Sequence, residues 1–426
     1  KTVGNNLKMI LNKEQLLKIN EINNFIINYC EYFDDNEEEF IFSDERIEEI
    51  IDEEEDIETI DFGFPGEEEY TSIEPTELIE FESEIKSIKI INNGLIKTNL
   101  RSYYIVALTD SEDEYRLRTY HEIGMSSLDG IKVNLVEQSI IVGLVATKLK
   151  EYDRNEYWGT ANQYLAIEVI YESVDKKLND SNELDLINSY IFEVADSSGF
   201  ALNFSEIRNP MDDYYDYDEE EEENSSSGLR ELEPYNEGMN LFVSAVQIKD
   251  PELKFLNFYK VLEHFSPIAV NIEANELMRK KLDAPKSSFE DGDYIRSIFE
   301  LANSMRDKFN DEDLIKASFN TCFDIVSLFK KLPESIKKKI KKHIGATELT
   351  YSTDKQKITT SCNIASKIIY KTRNKVVHAK SNFTLTGEEI TSSEFNELNN
   401  FMKEASSQAI RWYSRQPNHL KLEIIK

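Results

Sequence analysis

Ser361-Cys362-Asn363-Ile364-Ala365-Ser366-Lys367-Ile368-Ile369-Tyr370-Lys371-Thr372-Arg373-Asn374-Lys375-Val376-Val377-His378 is an apolar helical run that ends in three chemically capable side chains. Ile364, Ile368 and Lys371 share one stripe, with Ala365 and Ile369 beside it. That is the three-and-four spacing of a helix with one buried face. The pattern predicts a helix over residues 359–377 that stops near His378, with Lys380-Ser381-Asn382 leading into a loop. A permanent cation, an amide and an imidazole thus fall within one and a half turns. Arginine grips phosphate with a planar fork of donors. Histidine exchanges a proton near neutral pH. The competing reading is local: Arg373 and His378 would cap a helix C-terminus, where cations are favoured.

The spacing R-x4-6-H alone has little specificity, since about one chance match is expected in a chain of this length. Arg116-Leu117-Arg118-Thr119-Tyr120-His121 supplies such a match. It lacks Asn after its first Arg, and its surroundings alternate like a strand. A second segment adds to the first. In Leu253-Lys254-Phe255-Leu256-Asn257-Phe258-Tyr259-Lys260-Val261-Leu262-Glu263-His264-Phe265, the residues Phe255, Phe258, Leu262 and Phe265 share an apolar helical face. Glu263 sits at its edge, one turn after Tyr259.

Together the R-N-x-x-x-H string and the F-L-x-F-Y-x-V-L-E string resemble HEPN-domain ribonucleases of the ApeA-like kind. The resemblance covers roughly residues 240–415 and says nothing specific about residues 1–210. It implies an antiparallel helical bundle that forms a homodimer, and RNA cleavage that needs no metal or other cofactor. Carried over, Arg373, Asn374 and His378 become catalytic residues, and Glu263 orients Arg373 or His378. Lys371, Lys375 and Lys380 would hold the RNA backbone. The resemblance further implies a dormant toxin of antiviral defence. Some members of such families are non-catalytic partners or scaffolds.

Composition sets the frame around this. The chain has 426 residues and a formal net charge of −33. The charge is divided unevenly. Residues 241–426 hold 30 Lys+Arg against 24 Asp+Glu, net +6, which leaves 19 against 58, net −39, for residues 1–240. Phosphate contacts drive RNA affinity, so the basic half is the expected RNA-binding half. Cys30, Cys322 and Cys362 are odd in number and widely spaced, as suits a reducing cytoplasm. His121, His264, His343, His378 and His419 are scattered, and no Cys/His pair has zinc spacing. No apolar run approaches a membrane span. With what the resemblance implies, the expected partners are an RNA substrate, a second copy of the chain, and a phage-derived or host regulatory partner at the N-terminal region, with no membrane.

The chain reads as α+β and multidomain: an acidic, β-rich mixed region followed by an all-α bundle. The expected segments are 1–58 (helical and acidic), 59–210 (β-rich, regulatory or sensing), 211–228 (acidic linker) and 229–426 (helical nuclease). Residues 8–33 carry a helical period, with Asn12 and Gln15 placed for a capping box. Strands are expected at Ile85–Ile91, Ser102–Leu108, Ile131–Val136, Ile140–Ala146, Leu165–Tyr171 and Ser189–Val194. Glu84-Ile85-Lys86 matches half of a metal-nuclease E-x-K, a common string. The linker's tyrosines and glutamates form a solvated tether or imitate a nucleic-acid strand. In the C-terminal half, helices are expected at Pro251–Phe265, Asn275–Leu282, Asp291–Phe309, Asp313–Lys331, Pro333–Ile344, Thr359–Val377 and Ser393–Ser414. The helix after Pro333 carries Lys337, Lys338, Lys339, Lys341 and Lys342 over Ile336, Ile340 and Ile344. Lys338 and Lys341 are candidate RNA contacts, and docking on acidic surface is the other use of that face. The alternative function is a non-catalytic interaction protein whose acidic half binds a basic partner or mimics nucleic acid.

Overall fold

The computed structural model describes residues 11–30, 41–62, 71–120, 123–152, 163–208, 228–283, 292–306, 310–377 and 387–421. The chain is α+β. It divides into two compact units: residues 1–187 with 202–231, and residues 188–201 with 232–426. Most of the expected 211–228 linker, together with His121, His378 and Lys380, lies outside the described residues.

In the first unit, α1 (Lys13–Cys30) opens on a reciprocal capping box. The Gln15 N–H donates to Asn12 Oδ1 at 2.9 Å, and the Asn12 N–H donates to Gln15 Oε1 at 3.0 Å. Two donors that the helix start would leave orphaned are thereby satisfied. Helix α2 (Asp44–Asp52) follows, capped by Ser43. Strands β1 (Ile60–Phe62) and β2 (Thr71–Ile73) form a two-stranded ribbon. Next come α3 (Pro75–Ile85), β3 (Lys89–Asn92), β4 (Leu95–Lys97), β5 (Arg101–Ala107) and α4 (Ser111–Tyr120). They are followed by β6 (Ser126–Leu128), β7 (Ile131–Val136), α5 (Ile140–Leu149), β8 (Leu165–Tyr171), α6 (Asp180–Ser197) and β9 (Asn203–Phe204). Among the described residues one antiparallel sheet runs in the order β3-β4-β5-β8-β7-β6, and β9 also pairs with β5. Leu16, Ile19, Ile22 and Ile26 of α1 join Ile141, Leu144 and Val145 of α5 in the core beside the sheet.

Three sequence expectations are corrected here. Ile140–Ala146 is the start of helix α5, not a strand. Its side chains are buried all round, so the run has no period to read. Ser139 starts it by accepting the Val142 N–H, and Lys150 stops it in the left-handed region at φ 59°. Ser189–Val194 lies inside α6. The Arg116–Tyr120 stretch belongs to helix α4.

The second unit holds the end of α6 and eight further helices among its described residues. These are α7 (Glu237–Val246), α8 (Pro251–Leu282), α9 (Gly292–Arg306), α10 (Asp311–Thr321), α11 (Ile325–Leu328), α12 (Glu334–Ile344), α13 (Lys355–Val377) and α14 (Phe395–Ser414). Helix α8 is the spine, packed by α7, α10, α13 and α14. Phe255, Phe258, Leu262 and Phe265 are fully buried along it, as their spacing predicted. Each contributes about 1.5–3 kcal/mol of apolar burial. Phe258 packs edge-on against Phe242 of α7 at 5.5 Å, and Phe255 against Phe395 of α14 at 5.7 Å. Gly238 lets α7 approach, because a Cβ there would lie 2.4 Å from Phe265 Cζ.

Two expected helices, Pro251–Phe265 and Asn275–Leu282, are one continuous helix through Pro267. Proline removes the N–H that would bond the carbonyl four residues back, here that of Glu263. The Ser266 hydroxyl donates to that carbonyl at 2.7 Å and replaces the lost bond. The Asp313–Lys331 expectation resolves into α10, α11 and a 3-10 turn (Phe329–Lys331). Pro333 stands one residue before its helix as the N-cap.

One ion cluster locks the second unit. Arg411 of α14 donates Nη1 to Glu193 Oε1 at 2.7 Å and Nη2 to Glu193 Oε2 at 2.9 Å. Nη2 also donates to Asp196 Oδ2 at 2.9 Å, and the Ser407 hydroxyl donates to the same oxygen at 2.7 Å. All four residues are buried or nearly so, and Glu193 is 0% exposed. Burial opposes the Arg411 charge, but the bonds to both carboxylates outweigh it and raise its pKa.

Candidate functional site

Helices α8 and α13 bring two sequence-predicted residues together. Glu263 on α8 and Arg373 on α13 are 110 positions apart, and Arg373 Nη2 lies 3.7 Å from Glu263 Oε1. Both side chains keep solvent access, at 24% for Arg373 and 40% for Glu263. The Arg373 Nη1 donates to Asn374 Oδ1 at 3.1 Å. Its guanidinium stands 5.8 Å from the Tyr259 ring centroid, within the range of cation–π attraction. Tyr259 lies one turn before Glu263 on the same helix, so both reach the same side.

Tyr259 is buried, and its hydroxyl has no hydrogen-bond partner among the described residues. Burial pushes its pKa far up, and the Glu263 carboxylate adds to the rise while Arg373 opposes it. The phenol therefore stays a neutral donor beside the cation. This side chain was visible in the sequence as part of the aromatic string. Its role beside Arg373 has no sequence signal of its own, because it depends on how two distant helices cross.

The helix that presents Arg373 is fixed by its other face. Cys362, Ala365, Ile368, Ile369 and Thr372 are buried there. Thr372 sits at the junction with a returning segment, residues 387–391. Its hydroxyl donates to the Ile368 carbonyl at 2.9 Å and accepts the Ile390 N–H at 3.0 Å. Lys375 Nζ donates to the Ile390 carbonyl at 3.0 Å, and Lys371 pairs with Glu388. The two expected RNA-binding lysines of α13 thus hold this segment in the structure as it stands.

On α12, Ile336, Ile340 and Ile344 are buried as expected. Lys338 is exposed and Lys341 is half-buried. Lys337 pairs with Glu334 at 2.8 Å, and Lys339 Nζ donates to the Glu388 carbonyl at 3.4 Å. Gly345, at φ +66°, ends the helix in a conformation that favours glycine.

The E-x-K string resolves into structural roles. Glu84 is buried; it accepts the Leu100 N–H at 3.1 Å and the Thr98 hydroxyl. Lys86 pairs with Glu82 at 2.6 Å. Among the described residues no helix is long and apolar enough to cross a membrane. Comparison of the chain with protein-family models, with curated proteins and with solved structures finds no match in any of the three.

Proposed function

We propose that the chain is a metal-independent endoribonuclease of the HEPN type, acting through Arg373, Asn374 and His378. The observation that carries this reading is the holding of Arg373. It is half-buried beside Glu263 and over Tyr259, yet at 3.7 Å its guanidinium makes no tight bond to the carboxylate. A cation kept in place but not consumed by its neighbours is available to an anion. Phosphate, with its paired oxygens, matches the guanidinium fork.

The reaction is a transesterification. The ribose 2′-oxygen attacks the adjacent phosphorus, and the bond from phosphorus to the 5′-oxygen breaks. His378 acts either as general base, taking the 2′-hydroxyl proton, or as general acid, giving a proton to the leaving 5′-oxygen, with water making the other transfer. The products are a 2′,3′-cyclic phosphate and a 5′-hydroxyl. Arg373 stabilises the charge that gathers on the equatorial phosphorus oxygens. Asn374 orients the phosphate or His378 and is bonded to Arg373, and Glu263 orients Arg373 or His378. Lys338 and Lys341 extend the basic surface along α12. A second copy of the chain would supply a second motif to the same strand.

The test is cleavage of total cellular RNA in EDTA by wild type, Arg373→Ala and His378→Ala. Each substitution is expected to lower the rate by about 10²-fold or more, with cyclic-phosphate ends on the wild-type fragments. Cleavage retained by both variants would remove the proposal. The acidic net charge of residues 1–240 favours a second reading, a non-catalytic module that binds a basic partner. That reading predicts no cleavage by any form of the protein.

A further inference from the structure

Glu388 meets two lysines: the Lys371 amine at its carboxylate and the Lys339 amine at its backbone carbonyl. Lys367 and Lys371 are four residues apart on α13 and so lie on one stripe. Lys371 forms an ion pair with the Glu388 carboxylate. Lys339, from the neighbouring α12, donates to the backbone carbonyl of the same residue. The hydrogen bond and charge of Lys371, followed by the charges of Lys367 and Lys339, hold the Glu388 carboxyl below the usual range.

The segment that delivers Glu388 is anchored elsewhere. Ile390 is buried, and Thr372 and Lys375 bind its N–H and carbonyl. The Glu388 side chain is 45% exposed, and Lys367 is exposed as well. Rotation of that side chain would free Lys371 while leaving Ile390 seated and Lys339 on the Glu388 carbonyl. On α13 the stripe of Lys367 and Lys371 lies on the flank opposite Arg373, with Asn374 between them on the outer face. The width of a helix, about 10–12 Å, separates the two flanks.

We infer that Lys367 and Lys371, with Lys339 beside them, form a binding site for an RNA backbone phosphate, and that the Glu388 carboxylate is its internal occupant, competing with RNA for Lys371. The inference rests on the ribonuclease reading for its ligand class. A strand crossing the outer face of α13 places one phosphate at Arg373 and another, further along, at the lysines. Glu388 is then both a placeholder and a brake: RNA must displace one carboxylate before it can engage Lys371.

The experiment measures binding apart from cleavage. The full chain is titrated into a fluorescent RNA oligonucleotide methylated at every 2′-oxygen, which lacks the attacking nucleophile. Affinity is read by anisotropy across a salt series for wild type, Glu388→Gln, Lys367→Ala with Glu388→Gln, and the exposed control Glu348→Gln. The expected result is several-fold tighter binding for Glu388→Gln, with the salt slope steeper by about 0.7 for each further phosphate neutralised. Adding Lys367→Ala should reverse most of that increase, and Glu348→Gln should match wild type. Equal affinity and slope for Glu388→Gln and wild type overturns the inference. So does an equal increase from Glu348→Gln, which would reflect net charge alone. The two readings fail separately. Tighter binding by Glu388→Gln without cleavage of unmodified RNA sinks the nuclease and leaves the phosphate site. Cleavage by wild type with no effect of Glu388→Gln does the reverse.

Discussion

Arg411 and Arg373 belong to the same helical unit and are held in opposite ways. Arg411 meets Glu193 through two parallel bonds and Asp196 through a third, with its side chain 9% exposed. Arg373 faces a half-exposed carboxylate at 3.7 Å and an aromatic ring, with its side chain 24% exposed. Charge and fork are the same; what differs is burial and how far carboxylates take up the Nη donors, since Arg411 Nε has no partner among the described residues. Where carboxylates take up the fork the arginine joins helices, and where they do not it is left to bind something else. Glu193 is 0% exposed and meets Arg411 through both oxygens, whereas the Glu263 side chain is 40% exposed.

The contrast breaks most visibly in stability. Arg411→Met takes the cation away from two buried carboxylates and should cost about 3–5 kcal/mol. Arg373→Met releases only a partly exposed pair and should cost no more than about 1 kcal/mol. Urea unfolding of the full chain compares them, and equal losses would show that Arg373 is a structural arginine too. A smaller effect probes the wall behind Arg373. Ser266→Ala leaves the Glu263 carbonyl without the bond that replaces the one Pro267 removes, at a cost of about 1–2 kcal/mol. An unchanged midpoint would mean that water serves that carbonyl instead. Smallest of all is Tyr259→Phe. It removes a buried hydroxyl that has no partner among the described residues, so stability should hold or rise by up to about 1 kcal/mol. A clear loss would reveal a partner for the phenol and make the surroundings of Arg373 as saturated as those of Arg411.

The elements that carry Arg373 and Glu263 were legible because each buries one face. Phe255, Phe258, Leu262 and Phe265 repeat at three and four, and α8 buries all four. Asn12 and Gln15 announced the start of α1 because a capping box is local chemistry. Helix α5 was illegible for the opposite reason: a run from Ile140 to Thr147 that is buried on every side has no face to betray its period. The expected gap after Phe265 is bridged through Pro267, where the Ser266 hydroxyl serves the Glu263 carbonyl, a compensation not visible in propensity. The pairing of Lys371 with Glu388 and of Arg411 with Glu193 is set by tertiary packing. Sequence reading could name those charges but not match them. The electrostatic division of the chain needed only counting.

The partners of Arg411 carry a further consequence, for inheritance. Glu193 and Asp196 are encoded well upstream of the helical unit's main segment, in residues 188–201, and the chain returns to the first unit before entering that segment. A gene fragment opening after the acidic stretch would specify Arg411 without the acids that neutralise it. The helical unit therefore cannot be moved as a single cassette. Recombination that shuffles it onto another N-terminal region must carry the end of α6 along, and this binds the evolutionary fate of the acidic half to that of the basic one.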